Sequence, residues 1–362
     1  MPADHTGVLR VALIGCGGVG RRRARVLGRP ASGTLVVAVD RDSAKAATVA
    51  AEAGSEAGTD WKAAVRREDV DAVIVSTTHD ALAPIAIAAL RAEKHVLVEK
   101  PMARTPAEAE AVVRATVELE AGLGAAGRRP LVLKVGFNHR YHPAVARAHT
   151  AVRRGDIGEP MFVRCRYGHG GRPGYETEWR AAPEVAGGGE LLDQGIHALD
   201  LFRWFLGDFV EAAGFTSTYV WRSAQANDRG RPEVEDNAFG LFRTAHGQVA
   251  SLHASWTQWK NLFSFEVFGR DGYVAVEGLG GSYGVERLIV GRRTSGPPEE
   301  QSVEFPEPDA SWQKEWEEFV TAIQEQRQPL GSAHDAWEAV KMVQAIYESQ
   351  RTGAVVRLNR AR

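Results

Sequence analysis

Short apolar runs alternate with stretches of helical spacing along the first third of the chain. The apolar runs are rich in β-branched side chains and predict strands at residues 8–14, 35–39, 70–75, 96–98 and 131–135. The stretches between them predict helices at residues 19–27, 43–53, 84–92 and 106–119. Repeated alternation of strand and helix is typical of a doubly wound parallel sheet with helices on both faces, so this part is predicted to be an α/β domain.

The pattern changes near Gly136. Helical spacing predicts helices at residues 143–153, 191–206, 312–324 and 333–349. Strand-length apolar runs, suited to an antiparallel sheet, lie at residues 161–167, 238–243, 249–256, 263–268 and 273–276. The polar, proline-rich residues 292–308 are expected to form a surface loop or a hairpin connection. We therefore predict two domains, an α/β domain at residues 1–135 and an α+β domain at residues 136–362.

Composition narrows the class of protein. The 362 residues carry a formal net charge of −2, which offers no bulk attraction for nucleic acid or for an anionic membrane. Cys16 and Cys165 lie far apart and form neither a CxxC pair nor a disulfide framework, as expected for a reduced cytoplasmic protein. No apolar run reaches the roughly 18 residues of a membrane helix, and the N-terminus does not resemble a signal peptide.

A glycine-rich motif follows the first predicted strand and opens the first predicted helix. Residues 15–20 match the pattern GxGxxG: Gly15, Gly17 and Gly20 occupy its glycine positions, and Gly18 and Val19 lie between the last two. In this motif the first glycine permits a tight turn, the second lets the backbone approach a pyrophosphate, and the last lets the helix pack on the strand. The helix N-terminus then offers N–H groups and the positive end of a dipole to the phosphates. The motif predicts a dinucleotide-binding (Rossmann) domain.

The choice of coenzyme depends on the end of the second predicted strand. Asp40 lies twenty residues after Gly20, where a carboxylate can accept hydrogen bonds from both adenosine ribose hydroxyls. Its charge opposes a 2′-phosphate and favours NAD. Arg41 could instead bind that phosphate, so NADP remains the alternative, and Arg41 is equally compatible with a solvated surface charge.

A second motif, Glu99-Lys100-Pro101, ends the fourth predicted strand. The carboxyl edge of an open α/β sheet is where ligands bind, and a lysine there can stabilise developing negative charge on a substrate oxygen. Taken alone, Lys100 is also compatible with an ordinary surface charge. The other motifs of the chain must therefore decide between a substrate-binding lysine and a surface charge.

The predicted helix at residues 191–206 places Asp193, His197 and Asp200 at i, i+4 and i+7 on one face. An apolar face opposite is expected to form core and comprises Leu192, Ile196, Leu199, Phe202 and Leu206. The polar stripe should then face a cleft or solvent. His197 is suited to proton transfer near neutral pH, and Asp193 could orient its ring or raise its pKa. A surface ion pair is the alternative, and no metal site is predicted because a third ligand is missing.

A glycine-rich segment at residues 167–175 carries Tyr167, His169, Arg172 and Tyr175. Such a loop can pack aromatic faces on a sugar and hydrogen-bond its hydroxyls, and Arg172 could bind a phosphate or carboxylate. The alternative is a crossover loop with packed aromatic side chains.

Together these motifs resemble the Gfo/Idh/MocA family of oxidoreductases. The similarity continues at residues 135–143, which resemble the junction between the family's domains, and at residues 187–197, which resemble its glycine-rich loop and catalytic helix. Residues 234–237 and Trp256 resemble its C-terminal sheet. The resemblance implies a Rossmann domain followed by a large, open, mostly antiparallel sheet. It further implies hydride transfer on sugars, cyclitols or nucleotide-sugars, in homodimers or homotetramers built through that sheet.

The resemblance also implies roles for individual residues. Lys100 would contact the reacting hydroxyl or carbonyl, and Asp193 and His197 would be the aspartate and histidine of the catalytic helix. Residues expected at or near the cofactor are Ser76, Thr77, His79, Glu99, Lys100, Asn138, Trp179 and Arg180. The chain departs from the family pattern near Thr78 and Leu82, where proline and histidine are more usual, and at His139, where many relatives have arginine.

Two other functions remain open on the residues alone. One is an NAD-dependent glycosidase that recycles its cofactor internally. The other is a cofactor-binding regulatory protein without catalytic activity. The joint presence of Lys100, Asp193 and His197 argues against the regulatory protein.

Overall fold

The computed structural model describes residues 7–27, 32–222 and 234–358. These residues form two compact units. The first contains the chain up to Phe137 together with Trp312–Trp337, and the second contains Asn138–Ser311 and the chain from Glu338 onward. The predicted division placed all of residues 136–362 in one domain, so the return of residues 312–337 to the first unit differs from it.

The first unit is built on a six-stranded parallel sheet with the order β3-β2-β1-β4-β5-β6. Its strands are β1 (Leu9–Ile14), β2 (Gly33–Val39), β3 (Glu56–Gly58), β4 (Ala72–Val75), β5 (His95–Val98) and β6 (Leu133–Val135). The predicted doubly wound α/β fold is confirmed. Sequence analysis missed β3, because this edge strand has only three residues and no apolar run.

Five helices accompany this sheet within the described part of the first segment. They are α1 (Gly18–Leu27), α2 (Ser43–Ala53), α3 (Trp61–Val65), α4 (His79–Arg91) and α5 (Pro106–Ala125). Side chains cap the N-termini of three of them. Asp42 accepts hydrogen bonds from the N–H groups of Ala44 and Lys45, Asp60 accepts from those of Lys62 and Ala63, and Thr105 accepts from that of Glu108. The start predicted for α4 at Pro84 was five residues late, because this proline is accommodated inside the helix.

The packing of helix α9 (Ser311–Glu325) explains why residues 312–337 belong to the first unit. Its apolar face, with Trp316 and Phe319, packs into the same core as Leu9 of β1. The Trp316 ring is fully buried, and its Nε1 donates a hydrogen bond to Ser32 Oγ at 2.9 Å. A Cβ at Gly33 would lie 2.6 Å from that ring. An amphipathic pattern predicts a helix but does not tell which core the helix covers.

The second unit is built on a nine-stranded sheet with the order β14-β13-β12-β11-β7-β10-β9-β8-β15. Its strands are β7 (Pro160–Gly168), β8 (Phe209–Ser217), β9 (Asn237–Thr244), β10 (Val249–Ser255), β11 (Leu262–Gly269), β12 (Gly272–Glu277), β13 (Glu286–Arg292), β14 (Glu299–Phe305) and β15 (Val356–Arg357). Among the described strands of this second sheet, only the β7–β10 pair is parallel. The predicted mostly antiparallel sheet is confirmed.

The stretch at residues 292–308, expected to be a loop or hairpin connection, contains the strand β14. Its residues are nearly all exposed and four of the seven are Glu or Gln. A charged, solvent-exposed edge strand avoids pairing with other chains but lacks the apolar alternation that predicts a strand. The sequence pattern therefore missed it.

Four further helices belong wholly or partly to the second unit. They are α6 (Pro143–Arg154), α7 (Pro183–Ala186), α8 (Ile196–Leu206) and α10 (Ala333–Thr352), of which α10 is divided after Trp337. Phe202 of α8 packs against Phe242 and Phe265 on the inner face of the sheet. No described helix has the length and apolar character needed to cross a membrane.

We expect Trp316→Ala to lower the free energy of unfolding by about 3–5 kcal/mol, because it leaves a cavity in the core of the first unit. Denaturant unfolding followed by circular dichroism measures the change. Val117→Ala, at an exposed position of α5, is the control and should change stability by less than about 0.5 kcal/mol. Equal effects of the two substitutions would contradict the packing of α9 described above.

Candidate active site and cofactor site

The glycine-rich loop joins β1 to α1 in the first unit. Gly15 has a φ of 96°, and a Cβ there would collide with the carbonyl group of Ser76. A Cβ at Gly20 would collide with the carbonyl oxygen of Gly15. In contrast, a Cβ at Gly17 or Gly18 would meet no protein atom within 4 Å. The turn and the helix packing thus require glycine within the protein, whereas the surface over Gly17 and Gly18 is open to a ligand.

Asp40 ties the end of β2 to this loop. Its Oδ2 accepts a hydrogen bond from the Cys16 N–H at 2.7 Å, and its Oδ1 accepts one from the Asp42 N–H at 2.9 Å. Each carboxylate oxygen can accept a further hydrogen bond, so both remain able to serve a ribose hydroxyl. The neighbouring Arg41 is exposed.

The end of β4 borders the same loop. Ser76 is buried, and its Oγ donates a hydrogen bond to the Gly15 carbonyl oxygen at 2.7 Å. Thr77 is half-buried and donates from Oγ1 to the Thr78 carbonyl at 3.2 Å. His79 is buried at the first position of α4. Ser76 and Thr77 therefore lie beside the glycine turn.

Glu99 and Lys100 follow β5 at the same edge of the sheet. The buried Glu99 carboxylate accepts a hydrogen bond from Arg23 Nε at 2.7 Å. Lys100 is half-buried and precedes a cis peptide bond to Pro101. The carboxylate of Glu99 is thus held by a protein side chain, while Lys100 stands at the carboxyl end of the strand.

The residues of this edge fit a dinucleotide. The first N–H groups of α1 have no partner within the helix and lie next to the open surface over Gly17 and Gly18. Asp40 adds a carboxylate at the end of the neighbouring strand. Backbone donors for phosphates beside an acceptor for ribose hydroxyls are the features that a nicotinamide dinucleotide needs.

In the second unit, the predicted regular helix at residues 191–206 begins with a π-helical turn, Leu191–Gly195, before α8. A π turn holds more residues than an α turn, so the regular spacing assumed for residues 191–206 does not apply to the turn that carries Asp193. Asp193 accepts a hydrogen bond from Arg180 Nε at 2.9 Å. Such turns within helices are frequent at functional sites.

Glu235 holds the start of this turn. Its carboxylate accepts hydrogen bonds from the N–H groups of Gly189 and Leu191, each at 3.0 Å, and from the Tyr347 hydroxyl at 2.9 Å. Burial raises the pKa of Glu235. A Cβ at Gly189 would collide with the Glu235 carbonyl. Sequence analysis noted Glu235 only as part of a resemblance, because a partner 44 residues away in sequence leaves no local pattern.

The expected polar stripe consists of Asp193, His197 and Asp200, and all three side chains are buried in the structure. Asp200 forms an ion pair with Arg140, whose Nε donates to Oδ2 at 2.8 Å. The prediction that the stripe faces a cleft or solvent is therefore wrong for Asp200, which a cation from another element neutralises in the interior.

His197 lies against His139. The two rings are stacked, with centroids 3.9 Å apart and an angle of 23° between their planes. His139 also meets Tyr167 edge to face at 5.2 Å, and its Nδ1 lies 3.2 Å from Asn138 Oδ1. Asn138 donates from Nδ2 to Ser311 Oγ at 3.0 Å. The candidate base is thus enclosed by aromatic and polar side chains.

Tyr283 joins this cluster and was not identified from the sequence. Its hydroxyl forms hydrogen bonds with Tyr167 and Gln194. Burial raises the pKa of Tyr283 to about 12 and raises that of Tyr167 well above its usual value, so both remain protonated donors. A signal was present, since Tyr283 lies in the glycine-rich residues 278–284, where four glycines have positive φ.

The glycine-rich segment after β7 packs on aromatic rings. His169 Nδ1 accepts a hydrogen bond from the Gly171 N–H at 2.9 Å, and burial lowers the pKa of His169. Tyr175 meets His169 at 6.0 Å and Trp256 at 4.8 Å, in both cases edge to face. Arg172 is exposed and forms an ion pair with Glu178 at 2.6 Å. His169 and Tyr175 thus belong to one cluster, while Arg172 lies at its surface.

Arg180 connects the segment to the π turn. Its guanidinium lies 4.4 Å from the centre of the Trp179 ring and bonds to Asp193. The second unit therefore brings together Tyr167, Arg180, Asp193 and His197, and the first unit brings together the glycine loop, Asp40 and Ser76. Within the described residues, no group of three or more His, Cys, Asp or Glu side chains could hold a metal ion.

Comparison with known proteins agrees with this organisation. A family model described as an oxidoreductase family with an NAD-binding Rossmann fold matches residues 9–125. A model of the GFO/IDH/MocA C-terminal domain matches residues 145–275. The two matches fall in the two segments that differ in fold.

Individual proteins are similar over most of the chain. A levoglucosan dehydrogenase of Pseudarthrobacter phenanthrenivorans is 29% identical over 293 residues, which cover 74% of this chain and 73% of that protein. A 1,5-anhydro-D-fructose reductase of Ensifer adhaerens is 30% identical over 349 residues, covering 95% and 97%. A solved levoglucosan dehydrogenase in complex with NADH is 26% identical with a TM-score of 0.85, covering 98% of this chain and 100% of that one. The chain therefore belongs to the Gfo/Idh/MocA family of oxidoreductases and contains that family's NAD-binding Rossmann fold.

Proposed function

We propose that this oxidoreductase transfers a hydride between NAD and a secondary alcohol or ketone of a sugar, a cyclitol or a nucleotide-sugar. The observation that carries the proposal is the buried cluster around His197, in a chain whose first unit has an NAD-binding fold. The names of the relatives support the substrate class, since they include inositol 2-dehydrogenase, levoglucosan dehydrogenase and 1,5-anhydro-D-fructose reductase.

In oxidation, His197 removes the proton from the substrate hydroxyl as general base. NAD, held by the glycine loop and Asp40, would supply the hydride acceptor for the carbon that carries this hydroxyl. Lys100 stabilises the negative charge that develops on the oxygen. Asp193, held by Arg180, contacts the substrate or orients His197, and reduction reverses these steps.

The cofactor-binding proposal follows the geometry of the first unit. The N-terminus of α1, with Gly17, Gly18 and Val19, binds the pyrophosphate, and Asp40 binds the adenosine ribose. The further contacts proposed for the cofactor come from Ser76, Thr77, His79, Glu99, Asn138, Trp179 and Arg180. Tyr167, His169, Arg172 and Tyr175 are proposed to face the substrate together with Lys100, Asp193 and His197.

The test is a nicotinamide absorbance assay of purified protein with NAD and NADP, against free sugars, cyclitols, nucleotide-sugars and keto-sugars. Turnover of one of them supports the proposal and identifies the direction. An absorbance change limited to one equivalent of cofactor, with release of an aglycone, would instead indicate the glycosidase. Cofactor binding without any reaction across the panel would favour the regulatory protein.

We expect Lys100→Met and His197→Ala each to lower kcat by two or more orders of magnitude, because each removes a group that acts on the reacting oxygen. The dissociation constant of NADH, measured by fluorescence titration, should change by less than about threefold, because neither group holds the phosphates. The matched controls are Lys45→Met and His246→Ala, at exposed positions. Near-normal turnover in both active-site variants would overturn these roles.

We expect Asp40→Asn to weaken NADH binding by roughly tenfold. The ratio of the affinity for NADH to that for NADPH should also fall, because the charge opposing a 2′-phosphate is lost. The substitution retains a side-chain oxygen for the Cys16 N–H. Fluorescence titration with both reduced coenzymes measures the effect, and Arg41→Ala is the control for the neighbouring charge. Unchanged constants for both coenzymes would contradict the proposed ribose contact.

We also propose that the enzyme is a homodimer or homotetramer built through the outer face of the nine-stranded sheet. On this face, Phe215 and Phe239 lie opposite each other in the β8–β9 pair, and Leu241 follows two residues later. All three are exposed, Phe215 by 71% and Leu241 by 55%. A contiguous apolar surface of this kind is typical of protein–protein interfaces.

Leu241→Glu should shift the protein toward the monomer, because it places a charge in the proposed interface. Light scattering coupled to size-exclusion chromatography measures the mass. Val117→Glu, at an exposed position of α5, is the control and should leave the mass unchanged. A monomeric wild-type protein, or an oligomer insensitive to Leu241→Glu, would contradict this interface.

A further inference from the structure

The guanidinium of Arg23 is completely buried in the first unit. Arg23 lies in α1, the helix that follows the glycine loop. Its Nε and Nη2 contact Glu99 Oε1 at 2.7 and 2.6 Å, and its Nη1 contacts Glu315 Oε2 at 2.6 Å. The ring of Trp312 lies 4.3 Å from Arg23 Cζ. The guanidinium of Arg23 thus links α1 to the end of β5 and to α9.

The surroundings leave little room for this group to move. A Cβ at Gly136 would lie 2.8 Å from Arg23 Nη2 and 3.0 Å from Glu99 Oε2. The Glu315 side chain is fully buried, so its charge has no water to stabilise it. Arg23 supplies the compensating charge to both carboxylates at once. The planar fork of arginine directs separate N–H groups at the two carboxylates, whereas a lysine offers a single point charge without this fixed geometry.

Glu99 directly precedes Lys100, and the turn that carries both is fixed by its backbone. The Glu99 N–H bonds to the Val75 carbonyl at 2.8 Å, and the Met102 N–H bonds to the Glu99 carbonyl at 3.0 Å. The side chain of Glu99 adds a hydrogen bond from Arg23 to these backbone contacts. The backbone hydrogen bonds of Glu99 and Met102, together with the Arg23–Glu99 contact, therefore fix the backbone around Lys100.

We infer that Arg23, braced by Glu315, is a positioning residue for Lys100. It acts through Glu99: it binds that carboxylate and so holds the turn at residues 99–102 in one conformation. This role rests on the proposed function of Lys100. The ion pair between Arg23 and Glu315 also connects α9 to the turn that carries Lys100, since Glu315 belongs to α9.

The competing explanation is that Arg23 only holds α9 on the sheet. The structure offers a matched control for it. Glu318 is also in α9, three residues beyond Glu315, and forms an ion pair with the buried Lys134 at 2.9 Å. Glu318→Gln is therefore expected to weaken the attachment of α9 while leaving the Arg23 and Glu99 side chains unchanged.

The experiment compares Arg23→Lys, Glu99→Gln, Lys100→Met, the double variant Arg23→Lys with Lys100→Met, and Glu318→Gln. For each we would measure kcat and KM with the active substrate, NADH binding and the melting temperature. Arg23→Lys should lower kcat roughly ten- to a hundredfold, as for a misplaced catalytic group, with NADH binding nearly unchanged. Glu318→Gln should leave kcat near the wild-type value, even where it lowers the melting temperature.

The double variant separates positioning from stability. If Arg23 acts through Lys100, adding Arg23→Lys to Lys100→Met should lower kcat no further, because the group being positioned is absent. Multiplicative losses in the double variant would overturn the inference. A normal kcat in Lys100→Met would instead refute the proposed function on which the inference rests.

A second readout does not need turnover. Hydrogen exchange of the Met102 amide, followed by mass spectrometry on a peptide covering residues 99–105, should be faster in Arg23→Lys and unchanged in Glu318→Gln. Unchanged exchange in Arg23→Lys, or equal acceleration in both variants, would show that Arg23 does not hold this turn.

Discussion

In a parallel sheet every strand ends at the same edge, and this constraint organises the first unit. The glycine turn follows β1, Asp40 follows β2, Ser76 follows β4, and Glu99 with Lys100 follows β5. Residues that are up to 85 positions apart in sequence therefore lie along one edge. Close backbone contact completes the arrangement, since the turn at Gly15 passes directly against Ser76 with no space for a side chain.

The second unit arranges its polar groups by a different constraint, the need to compensate charge in a buried environment. Asp200 is paired with Arg140, Asp193 with Arg180, and Glu235 with two backbone N–H groups and the Tyr347 hydroxyl. These pairs determine which acidic groups are already committed within the protein. Asp200 has a structural partner, whereas the π turn and Arg180 hold Asp193 beside the aromatic cluster that includes Tyr167 and Tyr283.

Local signals predicted much of this arrangement. Strand and helix periodicity, together with the glycine motif, was sufficient for the α/β fold of the first unit, because short-range spacing reports which side chains share a face. The same reasoning assumed a regular helix at residues 191–206 and so placed Asp193, His197 and Asp200 in one stripe. It did not detect the π turn, whose first residue bonds to the Glu235 carboxylate from a distant part of the chain.

The sequence by itself determined the strand–helix alternation of the first unit, the family resemblance and the residue types available for chemistry, since these follow from local spacing and motif identity. Only the tertiary structure decided that residues 312–337 complete the first unit, that Glu99 faces Arg23, and that His139 stacks on His197. Each of these contacts joins side chains whose separation in sequence carries no periodic signal. They form because apolar faces and buried charges must find partners once the chain is compact, and that selection is made in three dimensions.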